Sequence, residues 1–176
     1  VGVDRAAVSR ILDGGRFRSE GLLLETEAID LLDAIGIATP RRIELPDAAA
    51  GARLADPPLA GPRVVLKVVA PDLPHKTEAG GVRILDNRRE AVVAEVRAME
   101  RRFPTLRTAG FMLCEYVPHE PGLGHEFLLG VRWSREFGPV VTLGPGGIHA
   151  EFLARTLRDE EALAIASPAL SDRSDL

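Results

Sequence analysis

A chain of 176 residues with 22 basic and 26 acidic side chains, net charge −4, can build one sizeable core or two lobes of one domain. That balance leaves no basic footprint for nucleic acid or an anionic membrane, and 45% hydrophobic with 27% charged residues is the composition of an ordinary globular protein. No run of 18 apolar residues occurs, Val1 to Ser9 lacks a signal-peptide centre, and the single cysteine, Cys114, cannot form an internal disulfide, so the expected setting is the cytoplasm.

The elements follow in chain order. Residues 4–13 read as a short helix ended by Gly14-Gly15. Residues 25–35 are amphipathic, with Ala28, Ile29 and Leu32 on one side and Gly36 placed to end the helix. Residues 41–45 form a short strand, and 47–59, rich in alanine, proline and glycine, form a weak helix or a loop. Strands are expected at 63–69 and 82–85. Residues 88–102 are the clearest helix, with Val92, Val96 and Met99 at i, i+4 and i+7. Three more strands, 110–117, 125–133 and 139–143, are separated by turn material at 118–122 and 134–138. Beyond Arg155 the pattern becomes an alanine-rich helix and a polar tail. This mixed order, without strict βαβ alternation, predicts an α+β architecture.

The chemistry concentrates between Val64 and Val82. Lys67 lies in an apolar strand on the face shared by Val65 and Val69, where an ammonium is costly unless an anion neutralises it. Two prolines, Pro71 and Pro74, turn the chain toward His75 and Lys76. Gly80-Gly81 then supplies backbone that can approach a ligand closely and offer N–H groups to phosphate oxygens. A strand lysine, a glycine pair and a histidine between them suggest a nucleotide phosphate site with phosphoryl chemistry; Lys76 is either solvated or a secondary member. Glu115 ends an apolar strand and either accepts from an adenine amino group or a ribose hydroxyl, or merely pairs with an arginine. Glu126 shares a face with Leu128 and Gly130, and either serves a site or pairs with an arginine. His119 and His125 make no recognised ligand set, and His149, on one strand face with Glu151, is a secondary metal candidate. No Gly-x4-Gly-Lys-Ser/Thr occurs, which excludes a P-loop.

The Pro-His-Lys-Thr-x-x-Gly-Gly-Val block, the strand end Glu115-Tyr116-Val117, the run His125-Glu126-Phe127-Leu128-Leu129-Gly130-Val131, and Phe137-Gly138-Pro139-Val140-Val141 through Gly147 together resemble the ATP-grasp domain of ADP-forming acyl-CoA synthetases. The type is the acetate–CoA ligase (ADP-forming) β subunit, distantly similar to the succinyl-CoA synthetase β chain. The likeness runs from about Leu22 to Glu151. It implies an ATP-grasp fold of two α+β lobes with the nucleotide cleft between them. Residues 1–62 would then belong to the large lobe, 63–117 form the small lid lobe, and 118–176 an incomplete remainder of the large lobe. The resemblance further implies ATP or ADP bound with Mg2+. Lys67 would contact phosphate, Gly80 and Gly81 would cover the phosphates, and Glu115, Tyr116 and Val117 would hold adenine. Glu126 would lie near the ribose or phosphates, Glu151 would bind magnesium, and His75 would carry the phosphoryl group. Related domains continue into an Asp-x-Asn-Pro-like segment that residues 155–176 do not offer, and no CoA-binding domain is present. The implied function is therefore an ATP-binding subunit or fragment of an acid–CoA ligase, with CoA bound by an α-type partner chain or domain. The alternative is a non-catalytic nucleotide-sensing module.

Overall fold

Strand β2 (Arg63–Val69) organises the first half of the molecule, because its two faces meet different partners. The computed structural model describes residues 2–16, 23–73, 76–106, 108–120, 122, 125–147, 156 and 164–168, and divides into two compact units between Val117 and Pro118. In the first unit, α1 (Arg5–Arg16) and α2 (Glu25–Ala34) precede β1 (Arg42–Leu45), and the short α3 (Ala48–Gly51) precedes β2. Then come β3 (Val82–Asp86), α4 (Arg89–Arg102) and β4 (Gly110–Glu115). The sheet order is β1-β4-β2-β3, antiparallel throughout.

Alternation along β2 separates the two faces. Val64, Leu66 and Val68 are fully buried against Val92, Val96 and Met99 of α4 and Leu113 of β4. Each such side chain contributes about 1.5–3 kcal/mol by leaving water. On the opposite face Val69, Met112 and Cys114 pack under Leu24 and Ile29, so α2 covers the side from which Lys67 projects. Asn87 clamps the loop ahead of β2: its amide donates to the carbonyls of Leu59 and Gly61 and accepts from the Leu59 N–H.

The structure changes several expectations. α1 passes through Gly14 and Gly15 to Arg16, because Gly15 is where Leu23 lies against the helix; a Cβ there would come within 2.6 Å of Leu23 Cδ2. Gly36 ends α2 as expected, with φ of +82°. Residues 1–62 and 63–117 share the first compact unit, where β1 pairs with β4 from Arg42 opposite Cys114 to Leu45 opposite Phe111. β4 stops at Glu115, two residues short of the expected end.

The second unit contains β5 (Phe127–Ser134), β6 (Gly138–Pro145) and β7 (Ala164–Ala166), in the antiparallel order β5-β6-β7. The β5–β6 turn is fixed by the Ser134 hydroxyl, which accepts from the N–H groups of Glu136 and Phe137, and by Gly138 at φ of +67°. Within the expected alanine-rich helix, residues 164–166 are instead a strand: Ile165 pairs with Thr142, and the sheet edge overrides alanine's helical preference. Among the described residues no helix is long and apolar enough to cross a membrane.

Candidate functional site

Lys67 finds its anion in the first turn of α2. Its Nζ donates to Glu25 Oε1 at 2.6 Å, and Lys76 Nζ donates to Glu25 Oε2 at 2.8 Å. One carboxylate therefore joins an ammonium from the strand to one from the loop after it. Burial pushes the Glu25 carboxyl up, but the hydrogen bonds and charges of Lys67 and Lys76 outweigh it and hold the group below its ordinary value. Glu25 is thus ionised at neutral pH. Each lysine commits one of its three donors to Glu25, and among the described residues the others have no acceptor, so they can meet a further anion.

The loop carrying Lys76 is built as a tight turn. Gly81 N–H donates to Lys76 O at 2.6 Å, Gly80 N–H to Thr77 O at 3.1 Å, and Gly81 O accepts from Val68 N–H at 2.9 Å. The glycine N–H groups, expected to face phosphate, are spent inside the turn here, and the two glycines serve geometry. Gly80 has φ of +74°, and a Cβ on Gly81 would fall 2.6 Å from Val68 Cγ1. From the other side Arg102 Nη1 donates to Gly80 O at 2.7 Å. Glu95 lies 3.8 Å from that guanidinium and 3.7 Å from Arg83. The end of α4 therefore anchors the glycine turn.

The strand-end residues are engaged locally. Glu115 N–H donates to Arg41 O at 3.0 Å, and its Oε2 accepts from Arg41 N–H at 3.1 Å, so the carboxylate secures the start of β1. The Arg63 guanidinium stands 5.6 Å from the centre of the Tyr116 ring, a cation–π distance, and Val117 is exposed. In the second unit Glu126 Oε1 lies 3.8 Å from His119 Nε2 and against Gly147, where φ is +68° and a Cβ would sit 2.5 Å from that oxygen. His75, His149 and Glu151 lie outside the described residues. Among the described residues no group of three His, Cys, Asp or Glu side chains could hold a metal ion.

The structure thus brings Lys67, Lys76 and the glycine turn together and adds Glu25, which the sequence reading missed. The available signal was the acid opening an amphipathic helix while a half-buried strand lysine still needed a counter-charge. Nearby, Arg42 donates to Asp30 and, at 2.8 Å, to Asp33, locking α2 onto β1. Burial acts to lower the Arg42 pKa, but the two aspartates outweigh it and raise it above its ordinary value.

A sequence profile described as the ATP-grasp domain matches residues 16–173. The 4-hydroxybutyrate–CoA ligase (ADP-forming) of Nitrosopumilus maritimus is 30% identical over 155 residues, covering 86% of this chain and 21% of that protein. The β subunit of acetate–CoA ligase (ADP-forming) I of Pyrococcus furiosus is 29% identical over 155 residues, covering 86% of this chain and 64% of the subunit. Among solved structures, the dinucleotide-forming acetyl-coenzyme A synthetase 1 of Ca. Korarchaeum cryptofilum superimposes with a TM-score of 0.61 at 25% identity. The match covers 96% of this chain and 65% of that one, in a complex with coenzyme A and Mg-AMPPCP whose phosphohistidine segment points towards the nucleotide binding site. The chain spans about a fifth of the first relative's length and under two thirds of the β subunit's.

Proposed function

The chain belongs to the ATP-grasp family, and we propose that it is the nucleotide-binding part of an ADP-forming acyl-CoA synthetase. The overall reaction would be acyl-CoA + ADP + phosphate to acid + CoA + ATP, with CoA and the acyl group bound by an α-type partner chain or domain. The observation that carries this reading is the pair of ammonium groups, Lys67 and Lys76, converging on one carboxylate, with His75 next to Lys76 in the sequence. Two convergent cations suit a phosphate group, because phosphoryl transfer depends mainly on positioning and charge neutralisation.

In this reading Lys67 holds the nucleotide phosphates from the strand, and the Gly80-Gly81 turn, anchored by Arg102, sets the path of the backbone beside them. Tyr116 and Val117 supply the adenine-side edge together with Glu115, whose Oε2 is held by Arg41 N–H and whose Oε1 is the oxygen offered to the ligand, and Glu126 supplies a polar contact near the ribose or phosphates. His75 accepts the phosphoryl group: an imidazole nitrogen bonds to phosphorus as the bond from phosphorus to its leaving oxygen breaks, and ADP attacks phosphohistidine to give ATP. Lys76, next in sequence, neutralises the charge on the transferred group. Magnesium, with Glu151 as the chain's candidate ligand, would add charge neutralisation at the nucleotide phosphates. The unit ending at Val117 then contains the phosphate-binding lobe, and 118–176 belongs to the larger one. Cys114 is buried, and burial pushes its thiol up, which keeps it protonated and unreactive.

The test is labelling with γ-labelled ATP and magnesium, in the chain together with an α-type partner. An acid-labile, base-stable label lost in His75→Ala and retained in His119→Ala and His149→Ala is expected. Label persisting in His75→Ala, or none in a complex that turns over, overturns the assignment of His75. Nucleotide binding with neither label nor turnover would favour the nucleotide-sensing module.

A further inference from the structure

Glu25 stands toward Lys67 and Lys76 as a phosphate oxygen pair would. Resting on the phosphate-site reading above, we propose that Glu25 is a built-in counter-anion that the incoming phosphate group displaces. Ligand binding at this site is then an exchange of anions on the two lysines.

Four observations converge. Both carboxylate oxygens are committed, Oε1 to Lys67 and Oε2 to Lys76, which lie 42 and 51 residues away in sequence. Without that charge Lys67 would be an unpaired ammonium on a strand face beside Val69 and opposite Met112, so the free protein needs an anion there. Glu25 is not needed to start its own helix, because Glu27 Oε2 accepts from Leu24 N–H at 2.8 Å and does the capping. Finally, the side chains of Lys67, Lys76 and Glu25 are 29%, 19% and 26% exposed, enough for the carboxylate to swing into water and for a phosphate to enter.

Charge decides between displacement and accommodation. Two lysines and one carboxylate sum to +1, and a phosphate seated beside a retained Glu25 would face a like charge at hydrogen-bond range. A phosphate that takes both ammonium groups for itself meets +2, and the released carboxylate becomes solvated. The cost of releasing Glu25 then lowers the apparent affinity, as for any ligand whose competent state must first be populated.

The probes are Mg-ADP and, separately, inorganic phosphate, titrated calorimetrically into the wild-type chain and Glu25→Gln. Glutamine keeps the size, loses the charge and offers one acceptor where two lysines compete. The expected result has opposite signs: the free variant melts lower, yet binds both probes about five- to tenfold tighter, because the competing anion is gone. Lower melting with weaker or unchanged affinity is the signature of a merely structural glutamate and overturns the exchange. A second measurement needs no mutation. Carbon-13 titration of the Glu25 carboxyl should place it below 4.5 in the free protein and at or above 4.5 with saturating phosphate. A carboxyl that stays low when the site is filled also overturns the exchange. A wild-type chain that binds neither probe removes the phosphate site and the exchange together, whereas binding without either signature removes only the exchange.

Discussion

Replacing Lys67 by methionine separates what this residue does for the ligand from what it does for the fold. Methionine preserves the unbranched stem along the strand face shared with Val69, opposite Met112, and removes only the ammonium. For the fold, the loss is one charge-assisted hydrogen bond to a carboxylate that keeps Lys76 as partner. The side chains concerned are 29% and 26% exposed, and the gain is a desolvation penalty no longer incurred, so stability should change by less than about 1 kcal/mol. For the ligand, the lost contact outweighs the smaller cost of releasing Glu25 from Lys76 alone. A phosphate that loses one ammonium contact loses about 1.5–3 kcal/mol, or roughly ten- to a hundredfold in affinity. Calorimetric titration with Mg-ADP, run beside urea denaturation of the same samples, measures both quantities. An unchanged dissociation constant in a variant with wild-type stability would take Lys67 out of the site and with it the central argument for phosphate binding.

Acid should weaken the first unit through Glu25. Its folded pKa is depressed, so its contribution is fully present above the ordinary value of 4.5 and is lost as pH falls through the lower folded value; urea melts across that range should show a shallower loss in Glu25→Gln. Gly81→Ala should destabilise by about 1–3 kcal/mol, since its Cβ would meet Val68 Cγ1 at 2.6 Å, whereas Gly14→Ala, in a helix with nothing within 4 Å, should stabilise by up to about 1 kcal/mol; thermal melts of the two give opposite signs. Leu66→Ala, at a fully buried position, should cost about 2–5 kcal/mol, and Leu129→Ala, at one 59% exposed, close to nothing in the same denaturation assay.

What could be read from the sequence was whatever depends on a single element. β2 at Arg63–Val69 and α4 at Arg89–Arg102 follow from local periodicity, and Gly36 from the left-handed backbone that ends a helix. What escaped depends on a partner far along the chain. Gly15 looks like a helix stop until Leu23 is seen lying on it, and Ala164–Ala166 looks helical until β6 offers an edge. The site divides in the same way. That Lys67 required an anion followed from one charge among apolar neighbours, but which anion could not, because Glu25 reaches it across 42 residues by a helix packed over the other face of the sheet. Glu115 shows the converse. Its position at a strand end marked it as available for a ligand, yet pairing with β1 directs its carboxylate onto Arg41 N–H. A lone charge at the sequence level therefore identifies an electrostatic requirement, and the tertiary structure decides whether protein or ligand meets it. Where the answer is a side chain that both reaches solvent and has no capping duty of its own, as with Glu25, the exchange proposed above would let protein satisfy the site when free and phosphate satisfy it when bound.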